Sequence, residues 1–302
     1  MGKRMLFVVN PLSGKGTIKN SVLDIVNTFT KDGWDVTVHP TQHKDDASEY
    51  VCNHGADYDM LVISGGDGTL NEGICGLMTI DRDKRPVLGY IPAGTTNDFA
   101  SNMRISKNVK KAAKDIMNGH HYMCDIGLFN EKNFVYVAAF GAFTNVAYET
   151  PQQNKNILGH AAYVLEGAKN LTNLKPISMQ ILYNDGLIEG EFIYGMVSNT
   201  NYIGGVKAEK AFKAQLNDGF FEVILVKNPK NVIEIQDIVS RLLRQDLSSD
   251  AFVVFKTDQV KFVSNAPVQW TLDGEFGGAV TEAAVINEKQ AITLALGREM
   301  EC

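Results

Sequence analysis

The chain has 302 residues, above the length at which a single hydrophobic core usually stops growing, so two domains are expected. Hydrophobic residues make up 44% of it and charged residues 21%, a composition that excludes a disordered chain. The net charge of −6 lacks the basic excess of a general nucleic-acid binder, so no nucleic-acid partner is expected.

Met5 to Val9 is a continuous apolar run, read as the first strand, and it leads into the turn Asn10-Pro11-Leu12-Ser13-Gly14. Ile18, Val22, Ile25, Val26 and Phe29 then recur at helical spacing, Gly33 closes that helix, and Val36 and Val38 mark a second strand. Met60 to Ile63 is a third strand running into Gly65-Gly66-Asp67-Gly68-Thr69, with a helix through Leu70, Ile74 and Leu77 behind it. Val87 to Ile91 is a fourth, leading into Pro92-Ala93-Gly94-Thr95-Thr96-Asn97-Asp98. Ile105, Val109, Ala112, Ala113 and Ile116 define a further amphipathic helix, closed by Gly119. Strands alternating with helices imply a doubly wound, mostly parallel sheet.

After about Tyr122 the pattern changes. Phe134 to Tyr148, Met179 to Tyr183, Phe192 to Val197, Phe220 to Val226, Phe252 to Phe255 and Val268 to Leu272 read as strands. Asn184-Asp185-Gly186 is a hairpin signal, and helices are expected only around His160 to Leu171 and Val232 to Leu243. The expected fold is therefore α/β over residues 1–126, followed by a β-rich, antiparallel, sandwich-like domain over 127–285. The tail, 286–302, is expected to return to the first domain.

Four cysteines, Cys52, Cys75, Cys124 and Cys302, form no CxxC pair, so a reducing cytoplasm is the expected compartment. His39 and His43 have helical ligand spacing, but Pro40 between them argues against a helix and a metal there. The apolar stretch after Lys3-Arg4 stops at Asn10-Pro11, too soon for a signal core. Phe134 to Phe143, the longest apolar run, falls short of the roughly 18 residues of a spanning helix.

In an open α/β sheet, ligands bind beyond the carboxyl ends of the strands. Three glycine-bearing loops are expected there, around Ser13 to Gly16, Gly65 to Thr69 and Gly94 to Asn97. Glycine lets the backbone approach a ligand, and successive N–H groups ahead of a helix cradle phosphate oxygens. One such loop is as well explained by a tight turn; three at one sheet edge are not. Neither common nucleotide motif fits. Lys15 is followed by Gly16 where a Walker loop has Ser or Thr, and a dinucleotide fingerprint from Gly66 meets Asn71 where it requires glycine.

Asn10 to Gly16, Gly65 to Glu72 and Pro92 to Phe99 closely resemble three motifs of the diacylglycerol kinase catalytic domain. They are most similar to the soluble bacterial branch, which also resembles sphingosine kinases. The resemblance runs in order from near residue 3 to near residue 298. It implies two domains with nucleotide bound between them, and transfer of phosphate from ATP to a lipid hydroxyl with Mg2+. Carried over by position, Asn10, Pro11, Leu12, Ser13, Gly14, Thr41, Gly66, Asp67, Gly68, Thr69, Leu70, Asn71, Glu72 and Thr95 would contact ATP. Asp67 would help hold the catalytic magnesium, since phosphoryl transfer rests on positioning and charge neutralisation. Lys15 would add charge near the phosphates, or remain simply solvated.

The acceptor hydroxyl needs a base. Glu275, in Leu272-Asp273-Gly274-Glu275, resembles the family's catalytic carboxylate, whereas Asp273 is either a turn former or a catalytic helper. Without the resemblance, Asp-Gly after an alternating strand reads only as a hairpin turn. Leu216 to Phe220 resembles a structural magnesium segment, with Asp218 giving its carboxylate and Gln215 and Phe220 giving carbonyls. Asp125 resembles an acidic residue linking that site to the cleft.

The resemblance also implies diacylglycerol as acceptor, a peripheral position at the inner face of the plasma membrane, and a homodimer. Lys107, Lys110, Lys111 and Lys114 share one helix face, which is either solvated or a docking face worth about 1 kcal/mol per lysine on an anionic bilayer. An NAD-kinase-like enzyme and a non-catalytic nucleotide- or lipid-binding regulator are the alternatives. Asn10 to Gly16 and Asp273-Gly274-Glu275 weigh against the first, and retention of Asp67, Asp218 and Glu275 together against the second.

Overall fold

A computed structural model describes residues 2–141, 175–184, 186–200, 202–203, 206–207 and 215–300. The chain divides into two units, Met1–Asp125 with Gln290–Cys302, and Ile126–Lys289. The expected helix at His160 to Leu171, the strand beyond Gly141 and Asp185 of the hairpin signal lie outside the described residues.

The first unit is built on parallel strands β1 (Lys3–Val9), β2 (Trp34–Pro40), β3 (Met60–Gly65) and β4 (Val87–Pro92), in the order β2-β1-β3-β4. Met5 to Val9 are almost wholly buried because helices cover both faces, which is why the run is apolar without alternation. On one face, α1 (Val22–Lys31) contributes Ile25 and Phe29, and α5 (Val109–Met117) contributes Ala112, Ala113 and Ile116, to a core with Phe7, Val62 and Ile91. The other face carries α2 (Asp46–His54) and α3 (Asp67–Met78). These two helices cross closely: a Cβ at Gly76 would stand 2.5 Å from Ser48 O. A short helix, α4 (Asp98–Asn102), follows β4.

The sequence did not signal α2, whose buried apolar face is only Ala47 and Val51. It did not signal β5 (His120–Phe129) either. His39 lies on β2 and not on a helix; it sits 3.2 Å from Asp46 Oδ1 and stacks on Tyr50.

The second unit is antiparallel. Strands β6 (Lys132–Phe134), β7 (Val137–Gly141), β8 (Ile177–Tyr183) and β9 (Gly186–Ser198) come first. A two-strand ladder of β10 (Tyr202–Ile203) and β11 (Val206–Lys207), then β12 (Phe221–Lys227), α6 (Val232–Arg244) and β13 (Phe252–Thr257) follow. The long strands β14 (Gln259–Leu272) and β15 (Glu275–Leu296) end the fold, and the last residues of β15 belong to the first unit, where Leu294 pairs with Leu88.

Length explains the topology. One end of β9 pairs with β8 and its other end with β7 and β12; β14 likewise pairs with β8 through Val260 to Ser264 and with β7 through Trp270 to Leu272. Two long strands thus close a circuit around one interior. Its centre is aromatic, with the Trp270 ring 4.8 Å from Phe140 and 5.0 Å from both Phe129 and Phe262.

The two tryptophans, Trp34 and Trp270, fall in different units, so each can report on one unit. In a Trp34→Phe background, Phe140→Ala should destabilise the second unit by about 3–5 kcal/mol, through lost burial and the cavity it leaves. Urea unfolding followed by Trp270 fluorescence measures it, and an unmoved midpoint would show that the aromatic centre is not what stabilises this unit.

Candidate active site

The three glycine loops follow β1, β3 and β4 and are stitched together in the first unit. The ladder hydrogen bonds run on into them: Asn10 N donates to Ser64 O at 2.8 Å, and Ala93 N donates to Gly65 O at 2.8 Å. Side chains add cross-links. Asn10 Nδ2 donates to Thr69 Oγ1 at 2.9 Å, and Gly66 N donates to Ser13 Oγ at 3.2 Å.

Glycine is required where the loops touch. A Cβ at Gly94 would lie 2.5 Å from Gly66 Cα, and one at Gly14, whose φ is already +58°, would lie 2.5 Å from Ala93 O. Real Cβ atoms do not approach main chain that closely, so these positions admit no side chain without displacement.

Asp67 opens α3 and reaches across to the third loop. Its carboxylate oxygens accept from Asp98 N at 3.1 Å and Phe99 N at 3.2 Å, the start of α4. An ionised carboxylate offers about four acceptor sites, so further acceptor capacity remains on both oxygens.

The other nucleotide residues expected from the sequence fall as follows. Leu12, Gly14, Gly68 and Thr95 are exposed; Pro11, Ser13, Thr41, Gly66, Asn71 and Glu72 are half-buried. Thr41 N donates to Val9 O, which holds the end of β2 beside the first loop. Leu70 is buried, so its side chain serves the core, and its N–H donates to Gly66 O at 3.1 Å.

Asn97 lies within the third motif and has no role expected from the sequence. It is 4% exposed and left-handed, with φ 55°. Its side chain clamps the third loop, accepting from Gly94 N at 3.0 Å and donating to Gly94 O at 2.8 Å. The signal was available, because asparagine tolerates the left-handed region better than most residues. Tyr90, also unassigned, donates its hydroxyl to Gly65 O at 3.1 Å. Burial first, and then the Asp67 charge, push its pKa well above the ordinary tyrosine value, so it stays a donor.

In the second unit, Asp273 and Gly274 have φ of 51° and 88° and form the tight turn between β14 and β15 that the Asp-Gly pair implied. The Asp273 carboxylate accepts from Val135 N at 2.6 Å and from Tyr136 N and Val137 N, both at 3.0 Å. Asp273 thus forms and anchors this turn. Glu275 is the first residue of β15, paired with Leu272 in the ladder, and is exposed.

Asp218 sits in the turn before β12. Its Oδ1 accepts from Phe220 N at 2.9 Å, and its Oδ2 lies 3.1 Å from the Lys256 ammonium, which is also 2.9 Å from Glu222 Oε1. Glu222 is 2% exposed, and burial raises its carboxyl pKa, an effect partly offset by Lys256. A protein cation thus already faces Asp218. Gln215 and Phe220 are exposed beside it. Among the described residues, no three His, Cys, Asp or Glu side chains converge as a metal set.

Asp125 is fully buried in the first unit and its Oδ1 accepts from Gln290 N at 2.6 Å. Of the four lysines expected on one helix face, Lys107 lies ahead of α5, which starts at Val109, and donates to Thr96 O; Lys110 pairs with Asp24 at 2.6 Å and Lys111 with Asp115 at 3.0 Å. Three of the four are therefore engaged within their own unit.

Residues 4–129 match the diacylglycerol kinase catalytic domain, and residues 137–295 match the YegS C-terminal NAD kinase beta sandwich-like domain. The chain is 34% identical over 280 residues to the diacylglycerol kinase of Bacillus subtilis (strain 168), covering 91% of each. It is also 34% identical over 294 residues to that of Staphylococcus saprophyticus, covering 97% of this chain and 95% of the relative. A solved structure of a diacylglycerol kinase from Bacillus anthracis str. Sterne shares the fold, with a TM-score of 0.76 at 21% identity, covering 98% of this chain and 97% of that one. The chain belongs to the diacylglycerol kinase family.

The glycine contacts make a direct prediction. Gly94→Ala should destabilise the first unit by about 1–3 kcal/mol through overpacking, read as a lower urea midpoint by Trp34 fluorescence in a Trp270→Phe background. Gly2→Ala, with nothing within 4 Å of its Cβ, should leave that midpoint in place.

Proposed function

We propose that the chain transfers the γ-phosphoryl group of ATP to the free hydroxyl of diacylglycerol, giving phosphatidic acid. The observation that carries this reading is the main-chain contact of the three glycine loops beside the Asp67 carboxylate. Loops whose backbones meet without side chains leave amide groups as the surface, and amides suit phosphate oxygens.

Asn10, Ser13 and Asn97 hold the loops, the last two by taking the Gly66 and Gly94 N–H groups, and the loop amides left over need no reorganisation as charge moves during transfer. Asp67 fits a magnesium ion, because its hard oxygens retain acceptor capacity and magnesium commonly takes one or two carboxylates together with substrate phosphates. When bound there, the ion would neutralise phosphate charge. A second cation at Asp218 fits less well, since it would compete with the Lys256 ammonium for Oδ2.

Glu275 takes the proton from the acceptor hydroxyl as the new P–O bond forms. Asp273 fixes the turn that carries it. The acceptor's acyl chains require the enzyme to work at a membrane surface. No described helix is long and apolar enough to cross one, which agrees with docking from outside.

The test is transfer of labelled γ-phosphate from ATP and magnesium in mixed micelles of diacylglycerol. Glu275→Ala should lower the rate about 10²–10⁴-fold, the usual worth of a general base, while leaving the unfolding midpoints unchanged. Label on another lipid alcohol would change the acceptor and keep the mechanism. Label on NAD in place of lipid would favour an NAD-kinase-like activity, and ATP binding without any transfer would make the chain a regulator.

A further inference from the structure

The first unit contains a cavity of about 300 Å³ that none of the three glycine loops lines. It lies between α5, the segment joining α4 to α5, and the residues that end β15. Its volume is at the small end of the range for ligand pockets, about 300–1,000 Å³.

The inner wall is apolar. Met103, Ile116 and the Tyr90 ring are each at most 3% exposed. The rim is cationic, with Arg104, Lys111 and Arg298. The Lys111 charge is met by Asp115, whose oxygens lie 3.0 Å away. Neither guanidinium has a hydrogen-bond or ion-pair partner among the described residues, although guanidinium forks match carboxylate and phosphate oxygens.

Two further features mark a built rim. Arg104 is left-handed, with φ 53°, a conformation that is costly for a residue with a side chain and is held here by Ile105 N donating to Ala100 O at 2.7 Å. Gly297 passes Asp115 so closely that a Cβ would lie 2.5 Å from its Cβ, which brings the chain before Arg298 against α5.

We propose that this cavity binds an amphipathic organic anion: a carboxylate or phosphate monoester gripped by Arg104 and Arg298, with a short apolar body against Met103, Ile116 and Tyr90. An occupant touches Tyr90, whose hydroxyl holds Gly65 O in the second glycine loop. The inference rests on the first unit alone and stands apart from the acceptor assigned above.

The experiment is calorimetric titration of the full chain with octanoate, octyl phosphate, octan-1-ol and inorganic phosphate. At least one amphipathic anion should bind saturably at one site, more tightly than octanol or inorganic phosphate. Which of the two binds identifies the head group. Arg104→Gln and Arg298→Gln should each weaken it about tenfold or more, the worth of one charge-assisted hydrogen bond. Both side chains are exposed, so the variants should fold, and unchanged urea midpoints would verify this.

No saturable binding of either anion would overturn the proposal. Octanol binding as tightly as the anions would also overturn it, by removing the arginines from the recognition. Anion binding that survives the double variant and is displaced by ATP would place the ligand in the glycine loops and overturn it equally.

Discussion

The approach of Gly94 to Gly66 governs the first unit, because two main chains meet there with no side chain between them. Gly14 does the same against Ala93 O. The height of each loop is set further back by ladder register, Val9 opposite Ser64 and Gly65 opposite Pro92. Strand pairing therefore brings the loops level, and glycine lets them close. Asn10, Ser13 and Asn97 then lock them with short polar side chains that have little rotamer freedom to lose. The Gly66 and Gly94 N–H groups are taken up in that locking, so the loops are fixed without any ligand.

Carboxylates are used in two distinct ways. Asp67 accepts two N–H groups and Asp273 accepts three, out of roughly four acceptor sites apiece. Asp67 keeps capacity for a cation while tying α3 to α4. Asp273 has little left, and its charge is matched by the amides of residues 135–137. In the proposed reaction Glu275 is the carboxylate at that turn given the chemistry, with Asp273 as its support. Lys256 gives Asp218 and Glu222 a common counter-charge.

Much of this was legible in the sequence. Strands β1, β3 and β4 were, because a parallel sheet buried on both faces imposes continuous apolar runs such as Met5 to Val9. The Asp273-Gly274 turn was, because consecutive positive φ values restrict residue choice. Helix α2 was not: it buries only Ala47, Val51 and Asp46, too few positions to show a period. The end of β15 beside β4 is a long-range pairing that no local pattern encodes. The three-way grip on Asp273 was hidden for the same reason, since its donors lie 136 to 138 residues away. Counting lysines likewise could not show that Lys110 is met by Asp24, or that Lys107 lies ahead of the helix and donates to Thr96 O.

A phosphate site built from amides, as proposed above, would also limit what it can choose. Backbone N–H groups recognise phosphate but carry no information about the molecule to which phosphate is transferred. The proposed base, Glu275, would be no more selective, since any hydroxyl placed within its reach presents the same proton. Glycine loops of this kind can therefore serve lipid alcohols, sugars or nucleotides without altering a residue. Choice of acceptor has to come from side chains that meet the rest of the substrate, and apolar chains are recognised by area and shape with few directional contacts. That is why the phosphate-handling residues stand out in a sequence as motifs, while an acyl-chain surface is written in the same leucines, valines and phenylalanines as any core.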